Sequence, residues 1–499
     1  DTPNTEPPVP ALVPAPDWLR MRVLMDGRTV LQRAGQTQEH RRILDMRRGL
    51  MLTEWRQTDQ RGASVKATTL RLVSLADRAV GLQLVRLEVE QGNAELAVDA
   101  RFDELSGALD EVRAGQDLAI WRTEESGKGL TMASAVALEL DGAALAPRAL
   151  GGFRWMWNWQ SAPGQSAWFH RLVSVARGDD PSADPGEAAG RALDRARRIG
   201  WRGVLAEHEA AWRERWRLSE IAIGGDGASA QALRFAVYHL NGAANPADER
   251  VSIGARALTG DAYLGHVFWD TEIYVLPFYI ATWPEAARAL LMYRYHTLPG
   301  ARSKARRAGW RGAMYAWEST DTGEETTPEQ LVGPRGETIQ VLCGTQEQHI
   351  TADVAYAVWQ YWQATGDDGF MLEAGAEILL ETARFWASRA GLEADGQYHI
   401  REVIGPDEYH EHIDDSAYTN VMARWNIRRG LEMASLLRQR WPGRWNELVG
   451  QLGLDAAELR RWTETADAMF TGFSAETGLF EQFAGYFDLE PIDMSRYAD

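Results

Sequence analysis

The chain of 499 residues is 45% hydrophobic and 25% charged, a composition typical of a globular protein. Its 53 basic and 71 acidic residues give a net charge of −18, which argues against a nucleic-acid partner or an anionic membrane surface, because both attract basic patches. With a single cysteine, Cys343, and no apolar run of about 18 residues, it has no internal disulfide and no predicted membrane span. We therefore expect a cytoplasmic protein that acts on a neutral, hydroxyl-rich substrate.

The N-terminal part of the chain is predicted to be rich in β-strands. A proline-rich lead-in of 17 residues precedes short segments that alternate between apolar and polar side chains and end at Gly, Asp, Asn or Ser. The candidate strands are 20–25, 49–56, 64–73, 79–90, 94–102, 118–123, 129–140 and 166–175. Many strands at this spacing suggest a large β-sandwich, which we assign to residues 1–180.

The rest of the chain has helical periodicity. Segments 186–205 and 205–217 predict helices that link two domains, within a linker at 181–225. The further predicted helices are 229–243, 267–281, 284–297, 300–308, 347–365, 370–390, 416–440 and 455–470. Paired helices with long loops between them suggest an α/α barrel in 226–499, but these roughly eight helices are fewer than six pairs require, so the barrel is expected to be incomplete in this chain.

Residues 403–420 form the densest cluster of titratable side chains. Six carboxylate or imidazole groups fall within 407–414, after the turn signal Gly405-Pro406 and before a predicted helix. Catalytic groups are often found on such loops, although a solvated acidic loop fits the composition equally well. His410 and His412 lack the i, i+4 spacing of a helical zinc pair, so no metal site is predicted.

Two further loops place a tryptophan next to a carboxylate at or near a helix start. Trp269 precedes Asp270, and Trp317 precedes Glu318. A flat indole beside a carboxylate that accepts hydroxyl hydrogen bonds suits a sugar ring, while acids in a first helical turn also suit the helix dipole. In a third segment, 346–350, Glu347 fits a first-turn acid. If these loops converge at one end of a helical ring, a carboxylate there would protonate a glycosidic oxygen, but the spacing does not say which one.

Four motifs in this order resemble glycoside hydrolase family 65, which contains phosphorylases of maltose, trehalose, kojibiose, nigerose and related α-glucosides, with some hydrolases. The motifs are GHVFWDTE at 265–272, WESTDTGEE at 317–325, ADVAYAVWQY at 352–361 and GPDEYHEH at 405–412. Two shorter stretches, RILDMRRG at 42–49 and VSLADR at 73–78, resemble the N-terminal β-domain of the family.

The resemblance implies a multidomain α+β fold with an N-terminal β-sandwich, a helical linker and an (α/α)6 barrel. It also implies that Glu408 is the general acid, that Trp269 and Asp270 bind the glucosyl ring, and that Trp317 and Glu318 line the same subsite. The family's N-terminal start and C-terminal part, including its phosphate-binding residues, are expected to be absent from this chain.

The favoured function is inverting phosphorolysis of an α-linked glucosyl disaccharide, with release of β-glucose 1-phosphate. No cofactor is expected, and inorganic phosphate is the co-substrate. Two alternatives stay open: an inverting α-glucoside hydrolase of the same family, and a non-catalytic sugar-binding module. A homodimer, or a second chain that completes the barrel, is a further expectation, and the sequence leaves the disaccharide linkage open.

Overall fold

The computed structural model describes residues 5–6, 9–30, 39–103, 107–179, 185–260, 262–333, 335–490 and 492. The chain divides into two compact units, one formed by Val13–Gly242 and the other by Asp1–Leu12 with Ala243–Asp499. The three-segment division into 1–180, 181–225 and 226–499 stays a prediction, and its first boundary lies outside the described residues.

The unit Val13–Gly242 contains two antiparallel β-sheets, and each strand predicted from the sequence is present. The larger sheet has the spatial order Glu39–Asp45, Leu50–Thr58, Ser64–Val73, Val80–Gln91, Ser166–Gly178, Gly129–Leu140, Leu118–Thr123 and Leu109–Ala114, with Ala143–Leu145 beside Gly129–Leu140. The smaller sheet has the order Arg148–Gly151, Arg154–Gln160, Glu95–Arg101, Met21–Met25 and Arg28–Thr29. The predicted β-sandwich architecture is therefore confirmed.

Apolar side chains from both sheets form a common core. Val85 and Leu87 of the larger sheet are buried in the same cluster as Trp155, Trp157 and Trp159 of the smaller one. The three tryptophans alternate with more exposed residues, as expected for a strand with one buried face. The sequence-based strand prediction missed this strand, although its period of two is visible in the sequence.

The opposite face of the larger sheet is covered by one long helix, Gly186–Ser219. Leu82 and Leu172 of the sheet pack in one buried cluster with Leu193 and Val204 of the helix. The sequence predicted two helices over this stretch, and the structure has a kink at Gly200, where a φ of 68° favours glycine.

The unit that contains Ala243–Asp499 is mainly helical. Its helices are Leu276–Thr282, Pro284–His296, Leu298–Arg307, Cys343–Gln346, Ile350–Thr365, Asp368–Phe370, Ala376–Arg389, Ala417–Arg440, Pro442–Leu452 and Ala456–Asp467, with π-helical turns at Thr271–Val275 and Met371–Gly375 and short 3₁₀ turns at Ala262–Gly265 and Tyr486–Asp488. Short strand pairings involve Thr5–Glu6, Gln330–Val332, Thr338–Gln340, Gly391–Leu392 and Tyr398–His399. The predicted helices of this unit are therefore present with shifted ends, while the incomplete barrel stays a prediction.

The core of this unit is built on two nearly fully buried helices, Ile350–Thr365 and Ala376–Arg389. Such helices, apolar on most faces, hold the loops at their ends in fixed positions. None of the helices described is both long enough and apolar enough to cross a bilayer.

Candidate active site

The two predicted sugar-binding segments are joined by a short antiparallel pairing. The N–H of Val267 donates to the carbonyl of Ser319 at 2.9 Å, and the N–H of Ser319 donates to the carbonyl of Val267 at 3.0 Å. Val267 lies just before Trp269 and Ser319 just after Trp317. The pairing therefore places the two tryptophan–carboxylate pairs on neighbouring loops.

The carboxylates of these pairs differ in their surroundings. Asp270 is half-buried, and burial raises its pKa above the usual range. Glu318 accepts a hydrogen bond from Nδ1 of the buried His266 at 2.7 Å, while Nε2 of His266 donates to the carbonyl of Pro10 at 2.6 Å. Burial alone would lower the pKa of His266, but these acceptors raise it. Because both ring nitrogens face acceptors, the contacts favour the cationic form of the ring beside Glu318.

The segment that carries Trp269 and Asp270 is anchored by a buried ion pair between Glu272 and Arg294. Both carboxylate oxygens of Glu272 accept from Arg294, at 2.7 and 2.8 Å, and neither side chain is exposed to solvent. Arg294 also donates to the carbonyl of Phe268 at 3.0 Å. Glu272 therefore has a structural role, and Asp270 is the acid of this motif that remains available to a ligand.

The backbone at Trp317 and Glu318 is held by the side chain of Glu325. Its carboxylate accepts the backbone N–H groups of Trp317 at 2.9 Å and Glu318 at 3.2 Å, and it forms an ion pair with Lys304. Burial would raise the pKa of Glu325, but the Lys304 charge and the hydrogen bonds keep it below the usual range. A carboxylate whose ionised form is favoured by Lys304 thus fixes the backbone at the predicted sugar-binding pair.

The loop that carries Glu408 is a hairpin-like segment tied to a neighbouring loop. Val403 and Ile413 exchange two backbone hydrogen bonds of 2.9 and 3.0 Å. The carbonyl of Gln346 accepts from the N–H of Ile404 at 3.1 Å, and its side-chain oxygen accepts from the N–H of His412 at 2.9 Å. Gln346 therefore fixes the spacing between the 346–350 segment and the loop of the predicted general acid.

Most acids of this loop are engaged in holding its shape. Asp407 accepts hydrogen bonds from His410 and from Gln482, both at 2.8 Å, and the His410 contact is the main reason that its pKa is lowered. The buried Asp415 accepts from His399 at 2.9 Å and from Arg401 at 2.6 Å. These groups stabilise the loop and leave Glu408 as its free acid close to the other site residues.

Glu408 is exposed and forms no hydrogen bond or ion pair with the part of the chain that the structure describes. Although the residue is exposed, its carboxyl is partly buried, and this is the largest cause of the raised pKa of Glu408. The charges of Asp270 and Glu318 raise this pKa further, and the charge of His349 lowers it. The structure thus brings Glu408 within electrostatic reach of both predicted carboxylates.

The sequence did not predict this set of neighbours. Glu411, which lies in the same loop, forms no hydrogen bond with described residues, and Asp414 accepts from the N–H of Glu402 at 3.0 Å. The like charges that raise the pKa of Glu408 are those of Asp270 and Glu318, on loops that are distant in sequence.

A buried histidine, His349, links the remaining site residues. Its ring packs edge-on against Trp269, with centroids 4.7 Å apart, against Trp317 at 5.8 Å and against Tyr418 at 5.4 Å. The two predicted sugar-binding tryptophans therefore meet at one imidazole. Sequence reasoning missed His349, although its i, i+4 spacing to Asp353 at a helix start was a readable signal.

His349 is held between two buried carboxylates. Its Nδ1 donates to Asp353 at 2.7 Å, and its Nε2 faces Glu347 at 3.4 Å. Burial would lower the pKa of His349, but Asp353 and Glu347 raise it to about 9, so the ring is an imidazolium at neutral pH. Burial, with the charge of Glu408 as a smaller cause, raises the pKa of Glu347 to about 7.

The thiol of Cys343 lies close to the carboxyls of Glu347 and Glu408. Polar atoms of Cys343, Glu347 and Glu408 all lie within 4.8 Å of one another. Burial and the two carboxylates raise the pKa of Cys343, so the thiol stays protonated. A metal ligand must be deprotonated and free, whereas the Cys343 thiol is protonated and Glu347 already faces an imidazolium, so we interpret the two carboxyls as an acid pair. The predicted absence of a metal stays a prediction.

Known proteins resemble this chain over most of its length. It is 35% identical over 511 residues to a kojibiose phosphorylase of Halothermothrix orenii, an alignment that covers 97% of this chain and 65% of that enzyme. It is 46% identical over 299 residues to a kojibiose phosphorylase of Caldanaerobacter subterraneus subsp. tengcongensis, covering 60% of this chain and 39% of the relative. The chain thus spans less than two thirds of the length of these relatives.

A solved structure described as a putative kojibiose phosphorylase from human microbiome has the same fold, with a TM-score of 0.84 at 22% identity, over 99% of this chain and 66% of that one. Residues 8–215 match the glycosyl hydrolase family 65 N-terminal domain, and residues 234–499 match the family's central catalytic domain. The chain therefore belongs to glycosyl hydrolase family 65.

Proposed function

We propose that this chain carries the acid-catalytic site of an inverting phosphorylase, which cleaves an α-linked glucosyl disaccharide with inorganic phosphate and releases β-glucose 1-phosphate. The observation that carries the proposal is the position of Glu408, which lies within electrostatic reach of Asp270 and Glu318, has a raised pKa and has no hydrogen-bond partner among the described residues. The names of the kojibiose phosphorylase relatives support the same reaction class.

In this mechanism the O–H of Glu408 gives its proton to the glycosidic oxygen as the bond from that oxygen to the anomeric carbon breaks. An oxygen of phosphate attacks the anomeric carbon from the opposite face, so the α-glucoside becomes a β-phosphate. Phosphate is already an anionic nucleophile, and no enzymic base is needed. The Glu408 carboxylate then regains a proton from solvent or from the next phosphate.

A general acid works best when its pKa lies near the operating pH, because it must hold a proton and still release it. Partial burial and the nearby charges of Asp270 and Glu318 favour the protonated form of Glu408. Those same carboxylates accept hydrogen bonds from sugar hydroxyls, and Trp269 supplies an apolar surface for the ring. The arrangement therefore fits a glucosyl unit bound with its glycosidic oxygen toward Glu408.

The reaction is tested by incubating the protein with kojibiose, with and without phosphate, and measuring glucose 1-phosphate against free glucose. Trehalose, maltose and nigerose in parallel test the linkage, and kojibiose is expected to react fastest, as the relatives' names suggest. Phosphate-dependent glucose 1-phosphate supports the proposal. Release of glucose alone, at a rate independent of phosphate, supports the hydrolase, and no turnover with retained sugar binding supports a non-catalytic module.

The role of Glu408 is tested by Glu408→Gln, which keeps the size of the side chain and removes the acid. We expect phosphorolysis to fall by about a hundredfold or more, without a change in thermal stability. The matched control is Glu411→Gln, an exposed glutamate of the same loop, which should retain activity. Near-normal turnover by Glu408→Gln overturns the assignment.

A further inference from the structure

Glu347 is a buried carboxylate that the mechanism above does not use. It is 1% exposed, and its Oε2 has no hydrogen-bond partner among the described residues by distance and angle, while the Cys343 thiol faces the carboxylate as a weak donor. A carboxylate oxygen of Glu347 lies within 4.8 Å of one from Glu408, on a loop that Gln346 fixes to the Glu408 loop. A buried acid without a full set of donors is costly, so its position beside the predicted general acid calls for a function.

The other side of Glu347 is supported by a chain of buried hydrogen bonds. The hydroxyl of Tyr418 donates to Asp353 at 2.8 Å, the other oxygen of Asp353 accepts from His349 at 2.7 Å, and His349 faces Glu347 at 3.4 Å. His349 and Asp353 are fully buried. The imidazolium charge is therefore locked in place next to Glu347.

We infer that Glu347 and Glu408 titrate as a coupled pair that holds one proton at neutral pH, and that Glu347 is a positioning residue whose charge raises the pH at which Glu408 loses its proton. The inference deepens the proposed function and rests on it. Two carboxylates this close resist ionising together, so the pair releases its last proton at a higher pH than a single carboxyl would.

The surroundings decide how this proton is divided between the two carboxyls. Burial favours the proton on Glu347, and the cationic His349, 3.4 Å away, opposes this by stabilising the ionised form. Glu408 has no hydrogen-bonded cation among the described residues. The other groups that face Glu408 are the carboxylates of Asp270 and Glu318, which favour its protonated form, and the neutral thiol of Cys343. The proton is therefore divided between the two carboxyls, and the charge of Glu347 raises the pH at which Glu408 gives it up.

The test is the pH dependence of kcat for phosphorolysis in the wild type and in Glu347→Gln. Without the negative neighbour, Glu408 should lose its proton earlier, so the alkaline limb of kcat should move to lower pH by about one unit. KM should change little, and Glu347→Asp should restore part of the shift. The control Glu285→Gln, at an exposed helix start, should leave the limb in place. An unshifted limb in a folded Glu347→Gln protein overturns the inference.

A second measurement covers the case in which Glu347→Gln does not fold. The infrared band of protonated carboxyl groups is titrated in the wild type and in Glu408→Gln, in which Glu347 is the only carboxyl left of the pair. We expect the buried carboxyl to titrate at lower pH in the variant, and an identical titration overturns the inference. If Glu408→Gln retains phosphorolysis while this titration shifts, the proposed function fails and the shared proton stands.

Discussion

Gln346 and His412 are joined across two loops, because the side-chain oxygen of Gln346 accepts the backbone N–H of His412 at 2.9 Å and its nitrogen lies 2.9 Å from Nδ1 of the same residue. Gln346 precedes Glu347, and His412 belongs to the loop of Glu408. One amide side chain therefore helps to set the distance between the two acids, on which the coupling of their titrations depends.

Gln346→Ala should release this contact. We expect kcat for phosphorolysis to fall by about ten- to a hundredfold, because small displacements of a catalytic group are costly, while the unfolding free energy falls by about 1–2 kcal/mol. Steady-state kinetics and thermal unfolding measure the two effects. Gln451→Ala, which removes an exposed glutamine whose side chain donates to Glu447, is the control, and an unchanged kcat in Gln346→Ala contradicts the role of this residue.

Replacing Asp270 should affect activity, whereas replacing Glu272 of the same motif should affect stability. Asp270→Asn is expected to lower kcat/KM about ten- to a hundredfold with little effect on stability, since hydrogen bonds to charged groups contribute about 1.5–3 kcal/mol. Glu272→Gln removes one partner of a fully buried ion pair with Arg294 and should destabilise the fold by about 3–5 kcal/mol. Denaturant unfolding and kinetics on both variants provide the comparison, and similar effects on stability would contradict it.

Local patterns predicted the elements of the fold well, because strand alternation and helical periodicity are properties of neighbouring residues. They could not separate Asp270 from Glu272, because the partner that buries Glu272 is Arg294, on the next long helix. Likewise, spacing did not identify Glu408 among the acids of its loop. Its assignment came from family resemblance, and the electrostatic contacts with Asp270 and Glu318 depend on the tertiary fold.

The two tryptophans should also differ when each is replaced by leucine. Trp269 is half-buried and available to a ring, so Trp269→Leu should raise KM for the disaccharide about tenfold at nearly unchanged stability. Trp317 is 5% exposed, so Trp317→Leu should cost about 3 kcal/mol of stability as well. Trp441→Leu, a half-buried tryptophan that stacks on Arg440, is the control for general loss of an indole. A normal KM for Trp269→Leu would remove Trp269 from the sugar site.

The ionisation of His349 should make stability depend on pH in a defined direction. Its pKa in the folded protein is about 9, against an ordinary value of 6.5, so its stabilising contribution is complete below pH 6.5 and is lost as the pH rises through 9. The pKa of Glu347 in the folded protein is about 7, so its own pH-dependent contribution to the unfolding free energy is lost at lower pH. The change in the alkaline range therefore reports on His349. Between about pH 7.5 and 9.5, the wild type should lose about 2 kcal/mol of unfolding free energy that His349→Gln does not lose. Denaturant unfolding at both pH values measures this difference, and parallel pH profiles for the two proteins would show that His349 is neutral in the folded state.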